Sequence, residues 1–266
     1  MIESTSMYFT WLDSNSWLLE INGKSILIDP WLVGALTFGN MNWLFKGERR
    51  NPRPIPSKID LILLSQGLED HAHPETLKQL NKNIPVVGSP NAAKVAQGLG
   101  YTQVIALEHG KSYSLENQIE IKALPGSPIG PTLLENAYFL KDLKTGNTLY
   151  YEPHGYHAPE LKQMAAIDVV ITPLININLP LVGSIIRGQE TALDLAKLVH
   201  PQVMLPTAAA GDVVYEGLLV SLLKTSGNLE DFRSMLAREN LSTRVLNPKP
   251  GERFEVSLEQ RSVSVV

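Results

Sequence analysis

Across 266 residues the chain carries a net charge of −4, with 44% hydrophobic residues, 19% charged residues and no cysteine. That is enough chain to bury a sizeable core in one large domain or two small ones, and the composition excludes a disordered protein. The charge balance gives no overall attraction to nucleic acid or to an anionic membrane, and the missing thiols exclude disulfides, cysteine-held clusters and thiolate zinc sites.

Any metal must therefore be held by His, Asp, Glu or backbone oxygen. The opening six residues include an acidic one and no basic segment leading into an apolar run, so no secretory signal is read. With zero cysteine, this sets the expectation of a cytoplasmic protein. Residues 8–12, 17–21 and 25–29 are β-rich runs, and Asn22-Gly23 between the last two is a strong two-residue hairpin turn. From Thr37 to Ser57 the composition shifts to glycine, asparagine, three prolines and three arginines, which reads as a loop insertion at 37–57 within one domain spanning residues 1–266.

Residues 59–65 form a short, largely apolar run of the kind buried on both faces of a sheet. Pro74 suits the first position of a helix, and Glu75 its positive end. A strand at 86–88 and a helix at 90–99, ended by Gly100, follow. The middle is strand-rich, at 103–107, 118–124, 137–140 and 147–151. The last third alternates helix and strand: helices at 159–165, 190–199 and 229–238, strands at 168–172, 203–206 and 243–246. The most apolar stretch, 165–186, is interrupted by Asp168, Pro173, Asn176, Asn178 and Pro180, so it is not a membrane span and no stable membrane insertion is expected. A strand-rich part followed by βα units occurs twice, which suits two sheets packed face to face with helices outside; a doubly wound sheet fits the same pattern.

The chemistry concentrates in Ile62-Leu63-Leu64-Ser65-Gln66-Gly67-Leu68-Glu69-Asp70-His71-Ala72-His73-Pro74, where an apolar run ends in a turn carrying Asp-His. This resembles the His-x-His-x-Asp-His signature of the metallo-β-lactamase superfamily, in its lactonase and phospholipase-D-like branch of metal-dependent hydrolases. Ile26 to Trp31 is similar to that family's early strand ending in Asp, Leu149 to Gly155 to the segment bearing the metal-bridging aspartate, and Val203 to Ala208 to the late strand ending in Pro-x-His. The resemblance implies a four-layer αββα sandwich. It also marks departures. The two leading histidines are Gln66 and Leu68, a third falls near Ser127, and the last falls near Thr207 or Ala208.

Leucine cannot donate to a metal and a glutamine amide is a weak ligand, so the resemblance implies an altered site with at most one metal. Its ligands are Asp70, His71 and His154, with Glu152 as general base or fourth ligand and Asp70 sharing in catalysis. Trp31, Gln66 and Ser127 stand where substrate would be contacted. One divalent Zn, Mn or Fe, or none, is the cofactor expectation, and such a site could lower the pKa of a bound water towards ~7. The function implied is hydrolysis of a small ester, lactone or phosphodiester. The alternative is a non-catalytic binding or scaffold module, with Leu68 packed where the metal would sit and Asp70 and His71 merely capping the following helix.

Glu152 and His154, two residues apart, share a face if their segment stays extended. His73 is read as an exposed helix cap, His109 and His200 as surface residues, and His157 as having no partner at helical spacing. Ser127 has no base beside it, and neither a Gly-x-Ser-x-Gly elbow nor a phosphate-binding glycine loop is present. Residues 126–131 read as a rigid glycine- and proline-rich loop at the cleft mouth. Trp43 to Arg53 mixes aromatics with four basic residues, either a flap or lipid-touching patch, or an insertion with its aromatics packed and its arginines solvated.

Overall fold

The computed structural model describes residues 7–129, 133–164 and 166–259. β1 (Met7–Trp11), β2 (Trp17–Ile21) and β3 (Lys24–Ile28) form an antiparallel meander. The Asn22-Gly23 turn joins β2 to β3 with φ of 51° and 70°, the left-handed pair that a tight hairpin needs. After the short β4 (Leu36–Thr37) and β5 (Lys46–Arg49) come β6 (Leu61–Leu64), α1 (Pro74–Gln79), β7 (Val86–Gly88), α2 (Pro90–Gly98) and β8 (Val104–Ala106). Strands β3, β6, β7 and β8 are mutually parallel. Both helices start as the sequence dictates, with proline in the first turn and a side-chain cap, His73 for α1 and Ser89 for α2.

The second half repeats the plan. β9 (Ser112–Leu115), β10 (Ile119–Ile129), β11 (Leu133–Asp142) and β12 (Thr148–Tyr151) are antiparallel. A 3₁₀ turn (Pro159–Gln163), β13 (Val169–Pro173), β14 (Asn176–Leu179), β15 (Gly183–Ile186), α3 (Gln189–Val199), β16 (Val203–Thr207), β17 (Val213–Glu216), α4 (Leu218–Leu222), β18 (Lys224–Ser226), α5 (Leu229–Arg238), β19 (Arg244–Val245) and β20 (Arg253–Val256) complete the chain. Strands β12, β13, β16 and β19 run parallel.

Among the described residues the strands make two seven-stranded sheets, ordered β20-β1-β2-β3-β6-β7-β8 and β19-β16-β13-β12-β11-β10-β9. Phe9, Trp17, Leu19, Ile26 and Leu63 of the first sheet interdigitate with Ile121, Tyr138, Tyr151, Ile171 and Leu205 of the second. On the outer face of the first, Leu27, Ile62 and Leu64 meet Leu77, Ala92 and Ala96 of α1 and α2. Outside the second, Tyr150, Val170 and Met204 meet Leu195 of α3 and Phe232 and Leu236 of α5. Strands buried on both faces read as continuous apolar runs, which is why β6 and β13 are so uniformly aliphatic. The result is the four-layer αββα sandwich. Among the described residues no helix is long and apolar enough to cross a membrane.

Several expectations are corrected. The segment 37–57 is not loop throughout, because β5 pairs with β17 and β4 in a three-stranded sheet. Its polar sequence hides the strand. Gly47 allows it, since a Cβ there would lie 2.9 Å from the Tyr215 ring and 3.0 Å from Trp31. The arginines of this segment are not all solvated: Arg49 and Arg53 are buried against Asp13. Trp43, by contrast, is 67% exposed instead of packed. Residues 126–129 belong to β10, with a bulge between Pro125 and Pro128, and Gly130 and Pro131 lie outside the described residues. The helix expected at 159–165 is a 3₁₀ turn ending at Gln163, and Ala165 lies outside the described residues. A further small sheet, β15-β14-β18, has no counterpart in the expectation.

Candidate metal centre

The C-terminal ends of β3 and β6 in one sheet, and of β12 and β16 in the other, come together at one edge of the sandwich. Asp29 follows β3 in a left-handed conformation (φ 42°) and is wholly buried. Its carboxylate accepts from the Ser65 backbone N–H at 2.7 Å, the Ser65 hydroxyl at 2.5 Å, the Tyr151 hydroxyl at 2.6 Å and His71 Nδ1 at 2.7 Å. The proton of His71 is thereby fixed on Nδ1, and Nε2 is turned towards Asp70 Oδ2 (3.2 Å) and the Asn15 amide (3.5 Å). Burial disfavours a charged imidazole, but Asp70 and Asp29 outweigh it and push the His71 pKa up to about 10. Burial likewise opposes the Asp70 charge and His71 overcomes it, holding Asp70 below the usual carboxylate range.

His154 enters from the other sheet. Its ring centroid lies 5.0 Å from that of His71, and burial together with the His71 charge pushes its pKa down to about 3, so it is neutral. Its Nδ1 lies 2.9 Å from Gln66 Nε2 and 3.2 Å from Ser127 Oγ, and Gln66 Nε2 donates to Ser127 Oγ at 2.5 Å. The loop that presents His154 is tied by Arg187 N–H donating to the His154 carbonyl (2.8 Å). It needs glycine at position 155, where φ is 83° and a Cβ would fall 1.5 Å from the Arg187 carbonyl oxygen.

One carboxylate and two imidazoles are an apt donor set for a divalent transition ion. The donor atoms of Asp70, His71 and His154 lie within 4.8 Å of one another, and Asp70 Oδ1 is buried with no hydrogen-bond partner. The residues present therefore fit a metal. Gln66 and Ser127 are engaged with each other and with His154, Leu68 points outward at 38% exposure, and Thr207 hydrogen-bonds the Ser14 carbonyl and Trp17. The occluded cleft filled by Leu68, expected of a scaffold module, is absent from the described residues.

β12 ends at Tyr151, and Oε2 of Glu152 turns back to accept from the backbone N–H groups of His154 (3.0 Å), Gly155 and Tyr156 (2.8 Å), while its Oε1 is buried without a hydrogen-bond partner. It shapes the His154 loop and is not among the clustered donors. Burial, set against those three hydrogen bonds, raises its pKa to about 7. Trp31 is buried beneath the Arg49 guanidinium, 4.1 Å from its ring centroid, and is not among the residues lining the cavity beside Asp70 and His154. His73 does cap α1 but is buried, with its ring also meeting the Ala35 carbonyl. His109 is exposed and reaches the Glu135 carbonyl, whereas His200 ends α3 in a left-handed conformation.

Asp70 and His154 lie at the base of a cavity of about 420 Å³. Its wall includes Ser14, Asn15 and Tyr215, none of which the sequence singled out, because no motif surrounds them. Asp13, Ser14, Asp29 and Ala208 all have positive φ, a concentration of backbone strain around the cleft.

An αββα sandwich with a histidine–carboxylate cluster where its two sheets meet defines the class of metallo-β-lactamase-fold proteins. The chain belongs to the beta-lactamase superfamily, whose domain profile matches residues 8–208. It is 23% identical to a metal-dependent hydrolase of Thermodesulfovibrio yellowstonii, covering 93% of this chain and 91% of that one. The solved structure of Igni18, a metallo hydrolase of Ignicoccus hospitalis, superposes with a TM-score of 0.66 at 17% identity over 96% of this chain and 100% of that one. An isothiocyanate hydrolase from Delia radicum gut bacteria gives 0.66 at 17% identity over 94% and 99%. At such identities the structural likeness speaks for the fold alone.

Proposed function

We propose that this chain is a hydrolase of the metallo-β-lactamase fold with an altered site that holds a single divalent metal, Zn, Mn or Fe, and acts on a small ester, lactone or phosphodiester. The observation that carries the proposal is the convergence of Asp70, His71 and His154 at the base of an open cavity. The hydrolase names of its relatives agree with it. When bound, the metal supplies Lewis-acid polarisation and acidifies water towards neutrality. Asp29 locks the His71 tautomer so that Nε2 faces the cluster, and Gln66 with Ser127 orients His154. Asp70 Oδ1, unpartnered, is the atom able to hold the proton of an attacking water. The Asn15 amide, on the cavity wall, is placed to donate to a substrate oxygen. A single cytoplasmic domain is the setting proposed.

Metal analysis of protein purified without chelator, with thermal melts before and after chelation, tests this. The expectation is close to one equivalent of transition metal, a lower melting temperature after chelation and loss of the metal in His154→Ala, since a ligand of the folded state raises its stability. Essentially no metal, with no shift on adding Zn, Mn or Fe, overturns the proposal in favour of the non-catalytic module.

A further inference from the structure

Three segments gather around the mouth of the cavity over Asp70 and His154: residues 36–45, the β14–β15 hairpin, and α4 with its end. They form one surface. The backbone N–H groups of Leu218 and Leu219 donate to the carbonyls of Trp43 (3.0 Å) and Leu44 (2.9 Å), and β14 pairs with β18, the strand that follows α4. Residues 32–45, 174–186 and 217–223 contain no Asp, Glu, Lys or Arg, against 19% charged residues in the chain as a whole. α4 is apolar at four of its five positions and contains no buried residue, although a helix apolar on all sides belongs in a core.

At the hairpin tip Leu181 has a left-handed backbone conformation (φ 68°) and a fully exposed side chain. A turn position of that kind favours Gly, Asn or Asp, so a leucine there accepts both strain and exposure. Such a residue persists where its side chain has another use. Val182 beside it, Ile185, Trp43, Leu218 and Leu222 are exposed as well. Together the six leave roughly 700 Å² open to solvent, more than the ~300–600 Å² of the largest apolar patch on an ordinary monomer and close to the ~800 Å² that each partner brings to a standard interface.

We infer that this face is a two-fold contact with a second copy of the chain, which roofs the cavity over Asp70 and His154. A two-fold contact sets a patch against itself, so any charge on it would meet its like, and a charge-free face carries no such penalty. An apolar, aromatic-bearing patch depleted in charge is also the make-up of the core of a homodimer interface. A lipid surface fits less well, because the chain is net negative and these three segments offer no lysine or arginine to anionic headgroups. The contact depends neither on a metal nor on the hydrolytic reaction.

Sedimentation equilibrium of the full chain, over concentrations from about 1 to 100 μM where specific pairs of this size form, tests the inference. The expected mass is twice the 29.3 kDa of the chain. Trp11, Trp17 and Trp31 are buried, so acrylamide quenching of tryptophan emission reports on Trp43, which the pair should shield. Leu181→Asn keeps a residue suited to the left-handed turn, and Leu218→Glu puts an acid at the first position of α4, so both should fold. Each should weaken the pair at least ~100-fold and restore quenching, because a two-fold contact carries every substitution twice. Leu143→Glu, at a comparably exposed leucine in the β11–β12 turn outside this face, should leave mass and quenching as in wild type. A single-chain mass throughout, or a double mass that survives Leu181→Asn and Leu218→Glu combined, overturns the inference. A single-chain protein that co-sediments with phosphatidylcholine vesicles overturns it in favour of a lipid surface.

Discussion

Gln66 Nε2 and His154 Nδ1 stand 2.9 Å apart, and the same amide nitrogen donates to Ser127 Oγ at 2.5 Å. An amide N–H pointing at Nδ1 makes that nitrogen an acceptor and puts the His154 proton on Nε2, where it blocks a metal. An amide turned so that its oxygen accepts from Nδ1–H frees the Nε2 lone pair. The orientation of Gln66 is therefore coupled to metal occupancy. Gln66→Glu, which can only accept, should tighten zinc binding, and Gln66→Leu should weaken it by about 10–100-fold, the usual effect of losing a group behind a histidine ligand. Calorimetric titration of chelated protein with zinc checks both. Equal affinities across the three proteins would show that Gln66 does not act through His154.

His71 gives the metal equilibrium its pH dependence. Burial resists its charge, yet Asp70 and Asp29 lift its pKa to about 10, so at neutral pH the metal-free protein carries a proton there. A metal must displace that proton. Apparent affinity should then rise about tenfold per pH unit between pH 6 and 9, with about one proton released per metal. Titrations in buffers of different ionisation enthalpy count the proton. A flat profile across that range would place the ligand proton elsewhere.

Asp13 holds the cavity wall from a distance. Its buried carboxylate pairs with Arg49 Nε at 3.1 Å and Arg53 Nε at 2.9 Å, and accepts from the Asp212 N–H at 2.8 Å. Arg49 in turn covers Trp31. Asp13→Ala strands a buried guanidinium, a loss of about 3–5 kcal/mol in unfolding free energy. Urea denaturation measures it. A cost below about 1 kcal/mol would mean the arginines re-solvate freely, as surface pairs do.

What the sequence made legible is what local pattern encodes. The aliphatic run of β6, the Asn22-Gly23 turn and Pro74 at the head of α1 each carry their conformation in a few neighbouring residues. The motif marked Asp70 and His71, the segment after β12 marked His154, and the structure brings the three side chains together. What failed depends on distant pairing. β5 is strand only because β17 is beside it, and its Lys-Gly-Glu-Arg sequence has no strand preference. Gln66 and Ser127 are 61 residues apart, and Arg49 is 36 from Asp13, so neither relation shows as spacing. The hydrogen bonds of Glu152 Oε2 to the loop after β12 did not show either, because they depend on how the chain turns beyond Tyr151.

His157 supplies a test of stability against pH. Both its ring nitrogens are buried without partners beside the Tyr150 ring, 5.9 Å away between centroids, and burial pushes its pKa down to about 4. The unfolded chain binds this proton near pH 6.5, the folded one only near 4. The stability linked to His157 is therefore complete above pH 6.5 and is lost as pH falls towards 4, by up to about 3 kcal/mol. Glu152, raised to about 7 by burial, acts in the opposite sense over much of the same range, so the wild-type profile alone does not isolate His157. The difference from His157→Leu does. That variant removes two unsatisfied nitrogens, and should match or exceed wild-type stability at pH 8 and lose less between pH 6.5 and 4. Urea unfolding at several pH values measures both quantities. Parallel profiles for the two proteins would show that His157 stays neutral, or finds a partner, in both states.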